Sequence, residues 1–124
     1  MRKLLAMAVP VVTLAQCAPQ CAPAPAGNYQ PGNCNSYVPL FEEYGLPVST
    51  FKAIAWRESG CDHTVFVSDS DDLGGGLTGL NLKGSLAGTW YDWCGLTTSN
   101  VTNADTNVRC ASVAYHKVGL RPWS

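Results

Sequence analysis

Phe51-Lys52-Ala53-Ile54-Ala55-Trp56-Arg57-Glu58-Ser59-Gly60 is the stretch on which the reading of this chain turns. Phe51, Ile54, Ala55 and Glu58 fall at i, i+3, i+4 and i+7, the spacing of one helix face. That face carries three apolar side chains and a carboxylate, while Lys52 and Arg57 lie away from the stripe. Ser49 or Thr50 supplies a cap, and Gly60 suits the left-handed position that ends a helix. Glu58 therefore sits where a Leu is expected.

Around this helix the pattern is short and mainly helical. A first helix is expected from Ser36, with Ser36 as N-cap, Pro39 in the first turn, and Gly45 and Pro47 as the stop. A last helix starts near Asp105 or Thr106. Its apolar residues Val108, Ala111, Ala114, Tyr115 and Val118 repeat at threes and fours before Gly119 and Pro122. Between these, residues 62–89 read as loop, because Gly74-Gly75-Gly76 disfavours helix and strand alike; a brief extended piece is allowed over Leu77 to Leu82. Residues 95–104 are polar and turn-like. The fold class expected is a compact, mainly α domain, small α+β at most, with a glycine-rich centre.

The 124 residues suffice for one domain. Arg2 and Lys3, the apolar run Leu4 to Ala15 and the small residues Ala24-Pro25-Ala26 read as a signal peptide over 1–26. The run is too short to span a bilayer. Leu14-Ala15-Gln16-Cys17 resembles a lipobox, so a lipid anchor at Cys17 is the alternative to simple export. Residues 27–35 read as linker and 36–124 as the domain. The leader takes two of the eight basic residues and no acid, leaving six basic against nine acidic and a net charge near −3. No basic run or aromatic-interleaved basic patch points to nucleic acid. Cys34, Cys61, Cys94 and Cys110 remain, and in an exported domain this small they read as two disulfides with three possible pairings. No C-x-x-C pair occurs and His63 and His116 lack finger spacing, so neither metal nor cofactor is expected.

A carboxylate on an apolar helix face pays several kcal/mol to stay ionised and unpaired, and a Glu in an apolar pocket can titrate near ~6. Such a group serves as a general acid, which glycosidic cleavage needs at the leaving oxygen. Pairing of Glu58 with Arg57 or Lys52 at the surface is the structural alternative. Asp69, Asp71 and Asp72 are the other carboxylates that could face it, and they read first as a solvated turn before glycine.

Trp56-Arg57-Glu58-Ser59-Gly60-Cys61, Gly76-Leu77-Thr78-Gly79-Leu80-Asn81, Ala111 to Tyr115 and Gly119-Leu120-Arg121-Pro122-Trp123-Ser124 together resemble the lysozyme-like lytic transglycosylase domain. The compact phage and actinobacterial versions, including the resuscitation-promoting-factor type, are the nearest in pattern. The resemblance covers most of residues 36–124. It implies a secreted or wall-associated monomer acting on peptidoglycan, with Glu58 as the single catalytic acid for the bond between N-acetylmuramic acid and N-acetylglucosamine. Ser59 would hydrogen-bond near the acid, Thr78 and Asn81 would stand in the substrate loop, and Tyr115 would line the cleft. Trp90, following the glycines, is the aromatic expected to be exposed for a sugar face. Thr78 and Gly79 depart from the family loop, which carries a bulky residue and a Gln there. That departure admits a second reading, a wall-binding protein without turnover. The pairings favoured are Cys34–Cys61 and Cys94–Cys110.

Overall fold

The computed structural model describes residues 29–124. The expected signal peptide, its expected cleavage site and Cys17 lie outside them. A 3-10 turn, Cys34–Tyr37, runs into helix α1, Val38–Glu43; α2 spans Val48–Ser59. Three short strands follow, β1 Phe66–Ser68, β2 Leu73–Gly75 and β3 Leu80–Asn81, then α3 Leu86–Cys94, α4 Ala104–Val118 and a 3-10 turn Arg121–Trp123. The molecule is a small α+β fold with both disulfides formed, Cys34–Cys61 and Cys94–Cys110. Among the described residues no helix is long and apolar enough to cross a membrane.

Local chemistry sets the helix ends, not always where the sequence suggested. The first cap is Asn33, whose side chain accepts from Asn35 N at 3.1 Å. Ser36, expected in that role, instead binds Gln30 N and Asn33 O through its hydroxyl. Neither Ser49 nor Thr50 caps α2, which starts two residues earlier behind Pro47. Its far end follows expectation: Gly60 is left-handed and its N–H returns to Trp56 O at 2.9 Å. Asn103 caps α4 by accepting from Thr106 N.

Two expectations for the chain between these helices are corrected. The glycine-rich segment is a three-stranded antiparallel sheet in the order β1-β2-β3, with Val67 opposite Gly74 and Gly75 opposite Leu80. Residues 86–94 are helical, turning Trp90 inward and Tyr91 outward. The supposed linker also belongs to the domain, since Tyr29 stacks on Tyr37 at 5.3 Å and Gly32 N donates to Cys61 O at 2.9 Å.

The core lies between α1, α2 and α4. Phe51 is at its centre, edge-on to Trp123 at 5.2 Å and to Tyr115 at 5.6 Å, and tilted against Phe41. A buried aromatic of this kind contributes about 1.5–3 kcal/mol through lost apolar exposure. One buried side chain does much to tie the sheet to this core. Asn107, fully buried on α4, accepts from Thr78 N and Oγ1 at 2.9 and 2.7 Å. It donates to Gly75 O at 3.1 Å and Val101 O at 2.9 Å. Three of its four bonds are to backbone and one is to the Thr78 hydroxyl, all in the interior, and they fix where the sheet stands against α2.

Candidate active site

α2 ends against the sheet, and the cleft between them is lined by Glu58, Val65, Val67, Asp72, Leu73, Gly75, Gly79, Leu80 and Asn81. Its volume is about 180 Å³. One helix-borne carboxylate thus shares an open groove with Asp72 and the strand residues Leu73 and Asn81. Ser59, the next residue, holds this junction closed. Its hydroxyl donates within reach of Ala55 O at 3.0 Å and Leu77 O at 2.8 Å, and accepts from Asp62 N at 3.1 Å.

Glu58 is not the buried, unpaired acid that periodicity suggested. Its side chain keeps 30% exposure and its Oε2 accepts from Arg57 Nε at 3.0 Å and Nη2 at 2.7 Å. The physical reason is the end of the helix: Glu58 is in the last turn, past the point where α1 and α4 cover the apolar stripe. Arg57 Nη2 also donates to Trp123 O at 2.6 Å, so the guanidinium ties the acid to the closing turn of the chain. The other carboxylate oxygen faces Gly79. A Cβ at position 79 would stand 2.8 Å from Glu58 Cβ and 2.5 Å from Oε1. With φ at +69°, this position favours glycine on both counts. Glycine at position 79 is therefore what lets the loop close on Glu58.

Asn81 lines the cleft but its own groups are engaged. Its side-chain oxygen accepts from Leu73 N at 3.1 Å and Lys83 N at 3.0 Å. Its amide donates to Asp71 O and Asp72 Oδ1. It holds the hairpin and sets Asp72 at the groove. Asp69 takes no part in the cleft: its carboxylate caps the turn by accepting from Asp71 N and Asp72 N, which lowers its pKa.

Thr78 and Trp90 are corrected as substrate contacts. Thr78 is wholly buried, its hydroxyl on Asn107 and its carbonyl accepting Trp123 Nε1 at 2.8 Å. Trp90 is 5% exposed and packs edge-on against Trp93, because α3 turns it to the core. The exposed aromatics among the described residues include Trp56 and Tyr91, 63% and 62% accessible, and Phe66 at 46%. Tyr115 is half-buried against Phe51 and does not line the Glu58 cleft.

Two neighbours of Glu58 were among the alternatives the sequence allowed: Arg57 as its surface partner, which the structure shows, and Asp72 as a carboxylate facing it, which lines the same cleft. Asn107 is the residue that sequence reasoning passed over. Asn107 left a legible signal, a carboxamide in the apolar period of the last helix beside Val108 and Ala111. Among the described residues no group of three or more His, Cys, Asp or Glu side chains is placed to hold a metal ion. No family model, curated protein or solved structure matches this chain.

Proposed function

We propose that this chain is a secreted peptidoglycan-cleaving enzyme of lysozyme-like, lytic transglycosylase type, with Glu58 as its acid and then its base. The observation that carries the reading is Glu58 at the end of a helix, opening on a groove whose other wall is a small antiparallel sheet. The motifs of the Glu-Ser turn and the Gly-Leu…Asn loop support it from the sequence side, and both disulfides accord with export.

Glu58 donates its proton to the glycosidic oxygen, and the bond from muramic C1 to that oxygen breaks as the N-acetylglucosamine leaves with a new hydroxyl. The resulting carboxylate takes the proton of the muramic 6-hydroxyl while O6 bonds to C1. The 1,6-anhydro ring closes without water and Glu58 is protonated again. Oε1, on the Gly79 side and away from Arg57, is the oxygen suited to carry that proton. Arg57 on Oε2 steadies the charge between the two steps.

Asp72 in the same cleft favours a second reading, hydrolysis by two carboxylates. Mass spectrometry of fragments released from purified peptidoglycan separates the two. Anhydro-muramic ends, one water lighter than the hydrolysis product, are expected, with Glu58→Gln slowing release about a thousandfold. Reducing ends whose release is lost in Asp72→Asn would make it a hydrolase. No fragments from folded wild-type protein would overturn the enzyme and leave a wall-binding domain.

A further inference from the structure

Arg57 stands between two concavities. It bonds Glu58 in the cleft, and it also lines a second groove of about 500 Å³ with Ala53, Ile54, Leu120 and Trp123. Ligand sites usually run to about 300–1,000 Å³, so this groove is of ligand size. Its wall is mostly apolar, it holds no carboxylate side chain, and Arg57 is its one charged side chain. The guanidinium is not used up. Nε and Nη2 are engaged, whereas Nη1, with two N–H groups, meets no protein acceptor among the described residues.

A sugar ring carries hydroxyls around its whole rim and needs matching donors and acceptors. This groove offers Thr50, Ser124 and Arg57. A short peptide of small apolar residues with one anionic or carbonyl group fits it better. We propose, resting on the cell-wall reading, that the groove receives the peptide branch of the glycan strand. The branch's methyl groups lie along Ile54 and Leu120, and a carboxylate or carbonyl oxygen accepts from Arg57 Nη1. Continuity through one side chain places the branch beside the ring held at Glu58. Arg57 is then a specificity residue that selects peptide-bearing strands over bare ones.

The test is an amide-resolved NMR titration of the disulfide-bonded chain with N-acetylmuramoyl-L-Ala-D-isoGln, and in parallel with chitotetraose, which has no branch. Saturable shifts at Ala53, Ile54 and Leu120 are expected with the muramoyl peptide alone. Arg57→Gln should weaken that binding at least about tenfold, the loss of one hydrogen bond to a charged group. Arg57→Gln also removes the Trp123 contact, so Ala53→Glu, at an exposed helix position, is the second variant. It sets a carboxylate in the groove and should weaken the peptide to the same degree with circular dichroism unaltered. Unchanged affinity in both variants overturns the proposal. Chitotetraose shifting Leu73 and Leu80 while the muramoyl peptide leaves the groove silent overturns the groove and spares the cell-wall reading. Silence from both probes overturns the two together.

Discussion

Glu58 and Gly79 meet so closely that neither can be understood alone. The lytic transglycosylase loop that this sequence resembles carries Gln at the position of Gly79, and introducing Gln would be the natural repair if its absence had cost activity. The geometry predicts the reverse. A side chain at 79 runs into Glu58 Cβ, Cγ and Oε1, in a left-handed backbone that disfavours any residue but glycine. Gly79→Gln should lower the melting temperature and reduce any peptidoglycan cleavage below wild type; a gain in cleavage would refute the close approach. Asn107 is the other residue with a disproportionate role. Asn107→Ala leaves Thr78 N–H and Val101 O buried without this partner, at about 1–3 kcal/mol for each that water does not reach. A loss of about 3 kcal/mol corresponds to a fall of roughly 12–24 °C in Tm for a domain of this size, measurable by calorimetry.

At the scale of elements, α1 and α4 are joined at their ends by Tyr44, whose hydroxyl donates to Asp105 Oδ1 at 2.8 Å and whose carbonyl accepts from Ser112 Oγ. Burial, and then the bond to Asp105, push the Tyr44 phenol up from 10.0 to about 12. A folded-state pKa above the unfolded one gives stability that is present below about pH 10 and is lost as pH rises towards about 12. Stability measured by urea denaturation should therefore drop across that window, and Tyr44→Phe should make the drop shallower. Tyr29 and Tyr37, also raised by burial, account for what remains. The sheet behaves differently from the helices. Its strands are two or three residues long and β1 is exposed throughout, so it depends on Asn107 and Asn81 more than on its own ladder.

For the whole molecule the decisive constraint is size. Some 96 described residues around one thin core leave little surplus over chain entropy. The two disulfides close spans of 27 and 16 residues, each removing about 3 kcal/mol of unfolded-state freedom on the loop-entropy account. Together that rivals the roughly 5–15 kcal/mol by which domains are stable. Reduction under native conditions should abolish or greatly weaken the cooperative thermal transition; an unchanged transition in fully reduced protein would show that the core suffices alone.

The sequence by itself indicated the helix that bears Glu58, its stop at Gly60 and the last helix, because these rest on local period and local stop signals; among three possible pairings of the four cysteines it favoured the one the structure forms. Tertiary structure alone decided the rest. A strand made of Leu73-Gly74-Gly75 has no propensity to announce it; it exists because β1, β3 and Asn107 supply partners from 5 to 32 residues away. Thr78 and Trp90 looked available because exposure cannot be read from a segment whose helix or sheet is unseen. Asp72 joined the groove, and Glu58 found Arg57 rather than an apolar pocket, through packing at the end of a helix. Which side chains share one cleft is a property of how elements meet, and no local pattern encodes it.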